Sequence, residues 1–247
     1  MNVVASVEAR MTSSRLPGKM AMPLGTGTVL GVLLDRLKQV PEIDEIVVAT
    51  TANQSDDVLA KIAAEHSVKT FRGSEDDVLG RVNGALSYCK ADICVEITGD
   101  CPLTDPKMVS AMIAEFLRTR GTNHYIANTT GPEFGAPPGF DVQVFEVSAL
   151  QRISELYQDA ESREHVSLPF YRDGPNSIWA PRFVTLFPAD VCKEVWLSLD
   201  YQEDYVLIRE VHEELVMDDT YYTAADAIEA CLARPKMARE CIKLREM

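Results

Sequence analysis

With 247 residues, 46% of them hydrophobic and 25% charged, the chain has the composition of a globular protein able to bury a full core. Its 24 basic and 38 acidic residues leave a net charge of −14, which argues against nucleic acid or an anionic membrane as partner. The N-terminus has no long apolar run with basic flanks, and the six cysteines show no CxxC spacing, so a cytoplasmic protein with reduced thiols is expected.

The chain opens on a short apolar run, Val3 to Val7, that reads as a buried strand. It leads into a polar loop, Ala9 to Lys19, where Arg10, Arg15 and Lys19 stand among the hydroxyls of Thr12, Ser13 and Ser14. Pro17-Gly18 marks a turn in this loop. Three cations in so short a stretch of an acidic chain suit a triphosphate. Arginine forks bind phosphate oxygens in pairs, and lysine adds a point charge. The competing reading is an exposed, solvated basic turn. Neither a Walker A sequence nor a GxGxxG is present.

Thr28 to Val40 carries leucines and valines at helical spacing and stops at Pro41. Glu45 to Thr50 reads as a second strand, Asp56 to His66 as a helix, and Val68 to Phe71 as a third strand before the polar loop Arg72 to Asp77. Val78 to Cys89 returns to helix, and Asp92 to Thr98 is a fourth strand that stops at Gly99-Asp100. Asp105-Pro106 caps a helix running through Leu117. The rhythm then breaks into Gly131 to Gly139, rich in glycine and proline. An alternating strand from Phe140 to Phe145 and a helix around Ser148 to Tyr157 follow, then an irregular stretch from Pro175 to Pro188. Val195 to Leu199 reads as one last strand before Asp200, with helices at about 201 to 214 and 223 to 233 behind it.

Strands alternating with long helices predict an α/β fold, Rossmann-like, with a mostly parallel sheet and helices on both faces. The nucleotide-binding core is expected in 1–130 and 191–247, and an inserted acceptor-binding and dimerisation subdomain in 131–190. Ligands of such sheets sit beyond the carboxyl ends of the strands, so the loops 9–19, 72–77 and 98–104 should share one crevice. Asp100 and Asp200 both end apolar runs and are expected at that edge, where two carboxylates plus substrate phosphates suit Mg2+. Read alone, Asp200 is equally a helix cap and Gly99-Asp100 a turn. Phe134, Phe140, Phe145, Phe170, Tyr171, Trp179, Phe183 and Phe187 crowd into the inserted segment. That density suits a homodimer interface, or simply the segment's own core.

The string ARMTSSRLPGK resembles the signature of the nucleotide-sugar cytidylyltransferases, which condense CTP with an acidic sugar to give a CMP-sugar and pyrophosphate. FRGSEDDVLGR, ITGDCPLTDP, GFDVQVF, SREHV and SLDYQEDY resemble, in the same order, the branch that includes the spore-coat polysaccharide synthesis proteins. The resemblance covers the chain from Val3 to about Tyr205. It implies a nucleotide-diphospho-sugar transferase-like fold, CTP and a small anionic acceptor as partners, Mg2+ as cofactor, and a homodimer.

The resemblance also implies catalytic roles for Arg10, Arg15, Lys19 and Asp100, and metal binding by Asp100 and Asp200. Nucleotide contacts are implied for Ala9, Arg10, Met11, Ser13, Arg15, Lys19, Arg72, Ser74, Thr98 and Gly99. Asp141, Arg163, Glu164 and His165 resemble positions that face the acceptor, with Arg163 offering a carboxylate its fork. Ser74 to Asp77 reads equally well as a capping sequence for the helix after it. Gly135 to Gly139 departs from the sugar-acid enzymes of the family, which leaves the acceptor open: a 2-keto sugar acid, or a phosphonate or other anionic compound. A nucleotide-binding module without catalysis is the reading from another class. The presence of both aspartates and all three cations stands against it.

Overall fold

The expected alternation of strands and helices is observed in a computed structural model, which describes residues 1–128, 135–218 and 221–245. Strand β1 (Val3–Glu8) is followed by a short hairpin, β2 (Pro23–Leu24) and β3 (Gly27–Thr28), and by helix α1 (Val29–Leu37). Next come β4 (Glu45–Thr51), α2 (Asp57–Glu65), β5 (Lys69–Gly73), α3 (Val78–Cys89), β6 (Ile93–Thr98) and α4 (Pro106–Thr119). The second half adds β7 (Tyr125–Ala127), β8 (Gln143–Glu146), α5 (Val147–Leu156), α6 (Ala160–Glu164), α7 (Leu168–Tyr171) and β9 (Pro181–Phe183). It closes with α8 (Ala189–Glu194), α9 (Gln202–Asp218), α10 (Ala224–Leu232) and α11 (Pro235–Lys243). Caps fix several of these starts: Thr28, Asp77 and Asp105 accept from the backbone N–H groups of Gly31, Gly80 and Lys107. Each satisfies a donor that the first helical turn leaves orphaned.

Seven strands form one sheet in the order β5-β4-β1-β6-β8-β7-β9, with β8 alone antiparallel to its neighbours. The chain winds from β1 outward to β4 and β5, then returns to β6 on the other side of β1. That reversal opens a crevice at the C-terminal ends of β1 and β6, the place where doubly wound sheets bind ligands. Both faces of the sheet are covered. Val3, Ala5 and Val7 enter a core completed by α1, α4 and the C-terminal helices, while Val4, Val47 and Cys94 pack under α3, α5 and α7. Approaching the crevice on this second face, apolar side chains give way to Ser6, Glu8 and Glu96.

The stretch expected as an inserted subdomain shares this sheet, because β8 and β9 extend it beyond β6. Val144 of β8 is buried in one core layer and Phe145 in the other, so the strand needs the coverage that both layers supply. Val195 to Leu199, read as a last strand, joins no sheet. Both edges of β6 are already taken, by β1 and β8. The Leu197 N–H instead reaches Pro138 O and the Leu199 N–H reaches Asp100 O, each at 2.8 Å. Gly139, at φ 106°, permits this approach, since a Cβ there would lie 2.3 Å from the Leu197 carbonyl carbon.

Phe140, Phe145, Phe170 and Trp179 are buried within the chain, and Phe170 stacks on Tyr125 with ring centroids 4.8 Å apart. Phe134 lies outside the described residues. These four aromatics therefore pack into the two layers that cover the sheet, while Phe183 is 43% exposed, and the homodimer rests on the resemblance alone. Among the described residues no helix is long and apolar enough to cross a membrane.

Candidate active site

The crevice widens into a cavity of about 670 Å³. The Ala9 to Lys19 loop forms one wall, and it closes on itself through Gly18, whose φ of 79° puts its N–H 2.9 Å from Met11 O. The Met11 N–H is held in turn by Asp56 Oδ1 at 2.9 Å. Asp56 is buried and also accepts from the hydroxyls of Thr50 and Thr51, at 2.9 and 2.6 Å. Burial opposes its charge, but the bonds from Thr51, Met11 and Thr50 prevail and hold its carboxyl below the usual range. At the rim, Glu75 gathers Thr12, Asn53 at 2.6 Å and Arg10 at 3.7 Å. Thr12 is the chief cause of the lowered Glu75 pKa.

Lys19 is the loop's fixed point. It is only 9% exposed, unlike the solvated turn that the sequence allowed. Its ammonium donates to Leu199 O at 2.5 Å and to Asp200 Oδ1 at 3.1 Å, and lies 3.5 Å from Asp100 Oδ2. Two aspartates from distant parts of the chain thus meet on one cation. Arg15, half exposed, adds a contact to Asp200 Oδ1 at 2.7 Å and lies 5.5 Å over the Tyr201 ring. Behind them, fully buried Asp204 accepts from the N–H groups of Asp200 and Tyr201, at 2.9 and 2.8 Å. Arg245 pairs with Asp204 at 2.7 Å and approaches Asp200 Oδ2 to 3.8 Å. The Asp200 carboxylate is therefore spent on cations, and Asp204 is the residue that braces the start of α9.

Among the described residues no cluster of three or more His, Cys, Asp or Glu could hold a metal ion. Magnesium commonly takes one or two carboxylates, with water and substrate phosphates completing its shell. Asp100 and Asp200 supply such a pair, and their approach to a single ammonium shows that both reach one cationic centre. The donor set fits.

The other end of the cavity is acidic. Arg163 lines it, but its guanidinium is committed to Asp77, the cap of α3, and to the carbonyl and hydroxyl of Ser154, each at 3.2 Å. It braces α6 against α3. Glu164, His165, Asp76 and Glu8 line the cavity as well. Glu8 and, behind it, Glu96 are held by burial above the usual carboxylate range. Arg81, which acts on Glu8 from α3, donates to the carbonyls of Ala49 at 3.2 Å and Ser74 at 2.5 Å.

Ala9, Arg10, Ser13, Arg15, Lys19, Thr98, Gly99, Asp100 and Asp200 line the cavity as expected, together with Arg163, Glu164 and His165. Met11, Arg72, Ser74 and Asp141 do not. Arg72 turns away to Asp57 at 2.5 Å and to the carbonyls of Thr51 and Asn53. Ser74 Oγ accepts from the Asp77 N–H at 3.2 Å, its capping role. Asp141 accepts from the Gly139 N–H at 2.9 Å and from the Cys101 thiol at 3.6 Å. Burial first, then Asp141 and Asp100, push that thiol well above its ordinary range, so Cys101 is an inert neighbour. All six cysteines are free and buried. Sequence reasoning passed over Glu8, Arg81, Glu96 and Arg245. A carboxylate inside an apolar strand was a signal for Glu8 and Glu96, whereas Arg81 and Arg245 carried none.

Residues 4–176 match the family model for cytidylyltransferases. The spore coat polysaccharide biosynthesis protein SpsF of Bacillus subtilis is 29% identical over 223 residues, covering 86% of this chain and 87% of its own. A 3-deoxy-manno-octulosonate cytidylyltransferase of Saccharophagus degradans is 27% identical over 186 residues, 74% of this chain and 70% of that one. The structure of a cytidylyltransferase from Leptospira borgpetersenii superposes with a TM-score of 0.86 at 30% identity, over 96% of this chain and 97% of the other. The mostly parallel sheet with its crevice beside β1 is that of the nucleotide-diphospho-sugar transferase fold, and the chain belongs to the cytidylyltransferase family.

Proposed function

We propose that this protein transfers CMP from CTP to an acidic sugar of the 2-keto sugar acid type, releasing pyrophosphate, with Mg2+ as cofactor and a cell-surface glycan as destination. The observation that carries this reading is the meeting of Asp100 and Asp200 on the Lys19 ammonium, in a wall that also presents Arg10 and Arg15. The acceptor class is supported by what the relatives named above are described as acting on or building. A homodimer belongs to the same reading on the strength of the motif resemblance, and sedimentation at twice the chain mass would show it.

In this reaction the acceptor hydroxyl oxygen bonds to the α-phosphorus of CTP and gives up its proton to solvent, while the α–β bridge breaks and pyrophosphate leaves with the electron pair. The protein's work is positioning and charge neutralisation. Arg15 exchanges Asp200 for β- and γ-phosphate oxygens, and Lys19 likewise exchanges the two carboxylates for the phosphates. Arg10, steered by Glu75, serves the α-phosphate and base. Asp100 and Asp200 would hold Mg2+, which would lower the pKa of the acceptor hydroxyl and offset the anionic site. Pyrophosphate release, measured for four nucleotides against a panel of acidic sugars and phosphonates, tests the proposal. Release with CTP and a sugar acid is expected; CTP binding with no release from any pair would contradict it.

A further inference from the structure

Glu8 and Glu96 stand where no ion pair explains them. In the register of β1 and β6, Ser6 faces Glu96 and Glu8 faces Thr98, so both carboxyls project from one face of the sheet, beneath α3. Glu8 lines the cavity, and Glu96, only 3% exposed, lies behind it. Glu8 Oε1, Glu96 Oε2 and the Ser6 hydroxyl are enclosed and find no hydrogen-bond partner among the described residues. Protein interiors leave few such groups unsatisfied, and three together require an explanation. Burial raises the pKa of both carboxyls, so the pair holds protons more readily than exposed carboxylates do. What remains is a carboxyl floor, able to accept hydrogen bonds, in the wall of the cavity.

That floor does not suit the triphosphate, whose phosphates it would repel. It adjoins the segment expected to face the acceptor, since His165 acts on Glu8 from the end of α6. Arg163, the fork expected for an acceptor carboxylate, is already bound to Asp77. We infer that the Glu8–Glu96 pair selects the acceptor, receiving a hydrogen-bond-donating group, a hydroxyl or an ammonium, that the acceptor presents to the cavity floor. The inference rests on the cytidylyl-transfer reading for what the cavity holds. A candidate that lacks the donor leaves a buried carboxylate oxygen unpaired and is rejected on that account.

The test uses the full chain with CTP, 3-deoxy-manno-octulosonate, and the analogue in which a hydroxyl is replaced by an amine. Pyrophosphate release gives KM for each acceptor, and calorimetry gives Kd for CTP as the control for an intact fold. Glu8→Leu should raise the acceptor KM by roughly tenfold or more and leave the CTP Kd unmoved. Glu8→Gln and Glu96→Gln distinguish the two donors: an ammonium needs the charge and is lost in both, whereas a hydroxyl is retained on the glutamine carbonyl of Glu8→Gln. An acceptor KM unchanged in Glu8→Leu, or a CTP Kd that rises in its place, overturns the inference while transfer itself stands. If the protein binds CTP but releases no pyrophosphate with either sugar acid, the transfer reading fails. Direct calorimetric binding of the sugar acids then judges the carboxyl pair, and no binding, or binding unaffected by Glu8→Leu, overturns it too.

Discussion

The two ends of the cavity handle negative charge in opposite ways. At the loop end the carboxylates of Asp100 and Asp200 are matched by protein cations, Lys19 above all, with Arg15 and Arg245 beside it. These are partners that an incoming phosphate can take over. At the far end, among the described residues, Glu8 and Glu96 form no salt bridge: Arg81 acts on Glu8 only at a distance, and the guanidiniums of Arg81 and Arg163 are occupied with carbonyls and with the cap of α3. Burial raises both carboxyls there instead. Charge that is paired with side chains can be exchanged for substrate, whereas a buried carboxyl pair offers hydrogen-bond acceptors without a cation to give up.

Lys19→Met should break this contrast most severely. It leaves two carboxylates facing each other without their ammonium, at a cost of about 3–5 kcal/mol in unfolding free energy. Transfer should fall on the order of 10²–10³-fold, the scale seen when a preorganised charge is removed. A variant with undiminished turnover would sink the assignment of Lys19 to the phosphates. Arg15→Ala separates binding from stability. Its pair with Asp200 is half exposed, so unfolding should shift by less than about 1 kcal/mol. Lost charge-assisted bonds to phosphate should nonetheless lower kcat/KM for CTP by roughly 1.5–3 kcal/mol.

Arg163→Gln should act on the scaffold, destabilising by about 1 kcal/mol as the α3 cap loses its brace, with little change in the acceptor KM. A large rise in that KM, measured at saturating CTP, would restore Arg163 as the acceptor's fork. Glu96→Gln sharpens the far end through pH. Because the folded carboxyls have raised pKa values, the native state holds protons that the unfolded chain has released. Their favourable contribution is complete below the unfolded pKa of about 4.3 and fades as pH rises through the folded value, by at most roughly 1.4 kcal/mol per pH unit. Chemical denaturation should find the variant converging with wild type in acid and gaining on it toward alkaline pH. Parallel profiles would show that Glu96 holds no such proton.

The parallel core was legible because each element carries its own local signal. Val29 to Leu37 has helical spacing with Thr28 as cap, and β1, β4 and β6 are apolar runs bounded by polar loops. The loop cations were legible for the same reason: a dense cluster in an acidic chain needs no tertiary knowledge. Three-residue β7 is too short to show a period. Val195 to Leu199 has the composition of a strand, but only the occupied edges of β6 decide that it cannot join the sheet. Arg72 and Arg163 sit in motif-like strings, yet Asp57 and Asp77 claim them in space. Lys19 reads as a phosphate ligand in the sequence, but its burial against Leu199 and the two aspartates carried no local signal. In each case the deciding partner lies far away in the sequence.

The division of the cavity is tested most directly by titrating Arg15→Ala and Glu8→Leu with CTP, and with the sugar acid in the presence of a non-reacting CTP analogue. Arg15→Ala should weaken CTP and leave the sugar acid's Kd as it was, while Glu8→Leu should do the reverse. Two variants that weaken the same ligand would contradict the account.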